Sequence, residues 1–192
     1  MKNITLEYRK ELIERRRQLQ LKHWVNHTLQ NYNYIIEKLN QNAVDYQLYL
    51  GNHPFEADNT NYELYAGHGL YWRWVDKHFP TQYNGINWRE VPEAVYLDHN
   101  ELRYRDNLPA ILTKLTQQYT IEDTEVCIFW GYLTGGGPTP SFRIKWSDFV
   151  LYSDIFDYYH YTFVISETAN YALQTLFDEA WWGRADSDHV KI

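Results

Sequence analysis

The first 45 residues contain neither glycine nor proline, and their apolar positions recur at Leu21, Trp24/Val25, Leu29, Tyr32, Ile35/Ile36 and Leu39. Three-and-four spacing of this kind predicts a helix with one apolar face. Upstream, Leu6, Leu12/Ile13 and Leu19 fit either a second helix or an extension of the same one, and Glu11 with Arg15 forms an i,i+4 pair of the favourable polarity. Beyond Asn40 the pattern shifts to Tyr46-Gln-Leu-Tyr-Leu50, a short strand or a last helical turn, which Asn52-His-Pro54 breaks. Residues 56–69 are polar and end in Gly67-His-Gly69, a loop. Leu70 to Phe79 then reads as a short helix stopped by Pro80, followed by a loop from Thr81 to Asn87.

Further along, Val95-Tyr-Leu97 predicts a short strand. Leu108 to Tyr119 predicts an amphipathic helix with Pro109 in its first turn, where a missing N–H is harmless. Glu125 to Leu133 has strong β-propensity and closes on Thr134-Gly-Gly-Gly-Pro138. Residues 141–152 alternate, with Phe142, Ile144 and Trp146 on one side and Arg143, Lys145 and Ser147 on the other, as in a half-buried strand. Tyr161 to Ile165 and Ala172 to Phe177 flank the polar turn Ser166-Glu-Thr-Ala-Asn170, predicting a hairpin, and Ala180-Trp-Trp-Gly183 precedes a charged tail. Helices come first and an antiparallel sheet last. The expected class is α+β, with N-terminal helices packed on a mainly antiparallel C-terminal sheet. One domain is expected over 1–192: helical over 1–45, mixed with loops over 46–120, and sheet over 121–185.

Composition sharpens this picture in two places. Aromatic residues make up 18% of the chain, with 18 Tyr and 8 Trp. A core alone does not need so many rings, and the surplus is expected half-buried at surfaces and interfaces. Charge is also uneven. Residues 1–45 hold 8 Lys/Arg against 5 Asp/Glu, whereas 46–192 hold 10 against 20. From Lys145 to Gly183 one lysine faces Asp148, Asp154, Asp157, Glu167, Asp178 and Glu179. A surface of that sign disfavours nucleic acid as a direct ligand and favours a basic partner. No stretch reads as a signal peptide or a membrane span, so the expected compartment is the cytoplasm, with no membrane partner. The sequons at Asn3 and Asn26 are then chance matches, and Arg15-Arg16-Arg17 reads as a solvated helix face.

Candidate chemistry is dispersed. Cys127 lies within Val126-Cys-Ile-Phe-Trp130 and is expected as an inert core thiol. The Gly135-Gly-Gly-Pro138 loop lacks the Gly-Lys-Ser/Thr ending of a phosphate loop, and Pro138 removes a donor. It reads as a hairpin connection that also offers a rim for a partner. Asp154, Asp157 and His160, at i, i+3 and i+6, would share a helical face and could hold a divalent metal; His23 with His27 is a second such pair, and His68 between two glycines is a titratable loop residue. No Gly-x-Ser-x-Gly elbow is present. The positive signal is the acidic aromatic cluster: Asp154, Asp157, Tyr158 and Tyr159, then Asp178, Glu179, Trp181 and Trp182. Rigid rings beside carboxylates suit recognition of a basic protein, the rings as anchors and the acids as steering charges. Trp181 and Trp182 could equally close the sheet's own core.

The run from Phe163-Val-Ile-Ser-Glu-Thr-Ala-Asn-Tyr-Ala-Leu-Gln-Thr-Leu-Phe-Asp-Glu-Ala-Trp-Trp-Gly-Arg to Ala185, with the preceding Gly-Gly-Gly-Pro-Thr-Pro-Ser-Phe-Arg-Ile-Lys-Trp-Ser-Asp-Phe149, resembles the closing hairpin of small immunity proteins from bacterial contact-dependent inhibition and other polymorphic-toxin systems. The likeness covers about the last 60 residues. It implies a stoichiometric cytoplasmic antidote that docks on a cognate toxin domain, often a basic nuclease, needs no cofactor and carries no catalytic residues. The alternative expectation is a small hydrolase or metal-dependent enzyme using His68 with Asp154, Asp157 and His160. A third is an assembly subunit that oligomerises through its N-terminal helices.

Overall fold

A computed structural model describes residues 6–50, 53–54, 69–82, 85–97, 107–130, 140–156, 161–176 and 179–185. The N-terminal pattern forms one continuous helix, α1 (Leu6–Gln41), so the upstream apolar positions extend the helix rather than start a second. Its two halves differ. Every residue from Leu6 to Gln20 is exposed, and the first buried position is Leu21. From there Leu21 and Val25 meet Leu50, while Tyr32, Ile35 and Leu39 enter the main core.

The remaining elements are β1 (Gln47–Leu50), β2 (His53–Pro54), α2 (Gly69–His78), β3 (Thr81–Gln82), β4 (Gly85–Ile86), a 3-10 turn (Trp88–Glu90), β5 (Val95–Leu97), α3 (Leu108–Tyr119), β6 (Glu125–Trp130), β7 (Pro140–Lys145), α4 (Trp146–Leu151), α5 (Ser153–Phe156), β8 (Tyr161–Ser166), β9 (Tyr171–Leu176) and β10 (Glu179–Arg184). Eight strands form one sheet in the order β2-β1-β7-β6-β8-β9-β10-β5, and each neighbouring pair is antiparallel. This is the expected α+β arrangement. The sheet also recruits β1, β2 and β5 from the segment 46–120, so its edges come from outside the C-terminal segment.

Both faces of the sheet are covered, which explains why β6 reads as an unbroken apolar run. Val126, Ile128 and Trp130 face the layer of α1, α3, α4 and α5. Cys127 and Phe129 face the other layer, where α2 places Tyr71 and Val75 and the residue after it, Phe79, packs beside them. In α3 the buried positions Leu108, Ile111, Leu112 and Leu115 repeat at helical spacing, and the helix ends where Thr120 turns left-handed at φ 49°.

Three local outcomes differ from the patterning. The alternation over 141–152 does not persist as strand: β7 stops at Lys145 and Trp146 opens α4. The neighbouring segment imposes the change. Thr124 accepts the Trp146 N–H at 2.9 Å and the Asp123 carboxylate accepts the Ser147 N–H at 2.8 Å, capping the new helix from outside. Trp146 and Phe149 then share the buried side of a helical turn. Thr81 to Asn87 holds a two-residue ladder between β3 and β4 instead of plain loop. Finally, Glu179–Arg184 is a full sheet strand, running antiparallel to β9 from Glu179↔Leu176 to Arg184↔Tyr171.

Candidate functional site

The acidic aromatic residues of the C-terminal segment separate sharply once the strand alternation of β10 is applied. Trp182 points into the main core, 2% exposed, with its ring 4.8 Å from Tyr119 and 6.3 Å from Tyr171. Trp181 points to the opposite face and is half-exposed. Glu179, two residues earlier, shares that face and is exposed. Asp154 is exposed on α5, on a different part of the molecule's sequence order, and α5 ends at Phe156. Asp157, Tyr158, Tyr159, His160, Asp178, His68 and the Gly135–Pro138 loop lie outside the described residues. Among the described residues no group of three or more His, Cys, Asp or Glu is placed to hold a metal ion. His23 and His27 stack on the exposed side of α1 with centroids 6.4 Å apart.

Glu179 and Trp181 open onto a cleft of about 850 Å³. Its floor is Trp181 on β10 with Tyr96 opposite it on β5, and on the other side of Trp181 the register places Gln174 of β9, buried beneath the cleft. Tyr96 is 42% exposed and its ring centroid lies 4.7 Å from that of Trp181. The wall is built by Gln82, Ile86, Asn87 and the 3-10 turn, which contributes Trp88, Arg89 and Glu90. Trp88 lies nearly parallel to Trp181, 9° between planes and 6.4 Å between centroids. It can do so because Gly183 leaves space beneath it; a Cβ there would come 3.0 Å from the Trp88 ring.

One buried side chain fixes this wall to the floor. Gln174 is fully buried, and its carboxamide oxygen accepts the Ile86 N–H at 3.1 Å and the Trp88 Nε1–H at 3.0 Å. Gly85, with φ 135°, passes so close that a side chain would overlap the Gln174 carboxamide. The wall therefore has a defined position, and the cleft is preformed. At its rim, Trp181 Nε1–H donates to Glu179 at 3.4 Å, which holds the carboxylate alongside the indole.

A second polar cluster sits over β6 and β7. Arg143 donates from Nε to the Tyr71 hydroxyl at 3.4 Å, pairs with Glu125 at 3.3 Å and lies over the Tyr49 ring at 4.8 Å. Beneath it Cys127 is buried, and burial pushes its thiol up to about 12. A thiol so placed stays protonated near neutral pH, which makes it a packing group rather than a nucleophile. Burial likewise raises the Tyr71 and Tyr171 phenols.

Sequence reasoning reached Glu179 and Trp181 but missed Tyr96, Trp88, Arg89, Glu90 and Gln174. One signal was available: Gln174 interrupts the apolar strand Ala172-Leu-Gln-Thr-Leu176, and a polar residue at an inward position must find partners. Which partners it finds depends on a tertiary contact 86 to 88 residues away. No protein-family model matches the chain, and no curated protein matches it. Among the described residues no helix is long and apolar enough to cross a membrane.

Proposed function

We propose that the protein is a stoichiometric protein-binding inhibitor of the immunity type, which neutralises a cognate toxin domain by docking the cleft beside β10 on a basic surface of that partner. The observation that carries this reading is the half-open aromatic pair Trp181–Tyr96, left uncovered on a rigid sheet and rimmed by Glu179 and Glu90. Aromatic anchors on rigid strands lose little conformational freedom on binding, and carboxylates at the rim steer a basic partner into place. The formal charge of −7 adds a long-range attraction of the same sign. Trp182 has no part in the docking surface, because it belongs to the core. The reading needs no cofactor, and the site works by occupancy rather than by chemistry.

The test is co-expression with a candidate toxin, the C-terminal domain of a large reading frame found adjacent to this one. That domain alone should arrest growth, and this protein should relieve the arrest only when it reaches equimolar amounts. Relief at a small fraction of the toxin's concentration would mean an enzyme that destroys or modifies its target. No relief at any ratio would remove the immunity reading.

A further inference from the structure

We infer that the cleft beside β10 receives the guanidinium of an arginine carried on a short extended segment of the partner, an inference that rests on the protein-binding reading above. The cleft offers two things at once. Its floor is lined by the half-buried Trp181 and the exposed Tyr96, and carboxylates enter its lining from two separate elements, Glu179 on β10 and Glu90 on the 3-10 turn. A cation held over aromatic faces and within reach of a carboxylate gains from both, and the gain grows as water is excluded.

Arginine suits this arrangement better than lysine. Its planar cation stacks on rings, is more weakly hydrated than an ammonium, and meets a carboxylate with two parallel N–H groups. Arg89 also lines the cleft, so the two carboxylates and one guanidinium leave a net charge of one negative. A site with that balance fits a single cation rather than a polybasic run. The volume of about 850 Å³ exceeds what one side chain fills and lies in the range that accepts a short peptide segment. Gln82 and Asn87 supply amide groups along the same wall for the segment's backbone. The fold already uses this chemistry internally: Arg143 lies 4.8 Å over Tyr49 and 5.8 Å over Tyr71 while pairing with Glu125 at 3.3 Å.

The experiment is a titration of the full chain, labelled with ¹⁵N at its indoles, with the blocked peptide Gly-Gly-Arg-Gly-Gly and its lysine and citrulline counterparts. The Trp181 indole signal is assigned by its loss in Trp181→Phe. The arginine peptide should shift that signal saturably, the lysine peptide more weakly, and the neutral citrulline peptide not at all, with the Trp182 signal unmoved. Glu90→Gln and Glu179→Gln should each weaken the arginine peptide by about two- to fivefold, the range expected for solvent-exposed pairs. Both positions are exposed, so the variants keep their fold, and unchanged remaining indole signals verify it. The inference is overturned by an equal response to citrulline, by the absence of a saturable shift, or by unchanged affinity in the double variant. A Trp181 shift on adding maltohexaose with none from the arginine peptide overturns it too, and reassigns the cleft to saccharide. Failure here with toxin relief intact would place the docking elsewhere on the protein. Peptide binding without toxin relief would keep the cleft and discard the immunity role.

Discussion

Gln174 makes the site depend on one buried amide. Its carboxamide satisfies a backbone N–H of β4 and the indole N–H of Trp88, neither of which meets water. Gln174→Leu keeps the volume but leaves those donors unpaired, at a cost of about 1–3 kcal/mol for each orphaned group. Chemical denaturation should show that loss, and the Trp88–Trp181 wall should loosen, read as a change in tryptophan fluorescence of the native state. The adjacent tryptophans of β10 should behave as opposites. Trp182→Ala empties a core position and should destabilise by about 3–5 kcal/mol, whereas Trp181→Ala should cost about 1 kcal/mol and impair partner binding instead. Equal destabilisation by the two would contradict the facing assigned to β10. Cys127 makes a pH prediction. Its thiol rises from an ordinary value of 9.0 to about 12 through burial, so the folded protein keeps a proton that the unfolded chain releases. The contribution is present below pH 9 and is lost as pH rises from there towards 12. Stability measured across that range should fall, and in Cys127→Ala the onset should move up towards pH 10, where the buried phenols of Tyr71 and Tyr171 take over.

At the scale of elements, α1 divides into a half that enters the core and a half that is exposed throughout. Because Leu6 to Gln20 are all exposed, deleting residues up to Arg17 should leave the denaturation midpoint of the body unchanged, while Leu39→Ala, at a fully buried position, should cost about 2–5 kcal/mol. A large loss from the truncation would show that the first half of α1 packs on something after all. Most elements were legible from spacing alone. α3 matches its periodicity from Leu108 to Tyr119, and the β8–β9 hairpin falls where the polar turn placed it. The failures share a cause. The bend at Trp146 is set by Asp123 and Thr124, and the strand β10 by pairing with β9 and β5; both are tertiary contacts that local periodicity does not encode. Asp123→Ala should therefore cost about 1 kcal/mol, the usual value of a lost helix cap, measured by denaturant titration. The cleft was half-legible for the same reason. Glu179 and Trp181 lie in one acidic aromatic run, but Tyr96, Trp88 and Glu90 reach them only through sheet register and the Gln174 tether.

At the scale of the whole molecule, a sheet buried on both faces leaves little freedom for the residues mounted on it, and the cleft lies at the end of the strand order, where β5 pairs with β10. A basic first quarter and an acidic remainder give the chain segments of opposite net charge, and the proposed basic partner would be drawn to the acidic one. The central claim is that partner docking runs through Glu90, Glu179, Trp181 and Tyr96. Its most direct test is isothermal titration of a toxin domain that the protein relieves in co-expression into the native protein and into Glu90→Lys/Glu179→Lys, at low and at physiological salt. The native protein should bind at one to one with an affinity that falls as salt rises, and the double reversal should bind at least tenfold more weakly with a flattened salt dependence. Equal affinity and equal salt dependence in the two proteins would contradict the account.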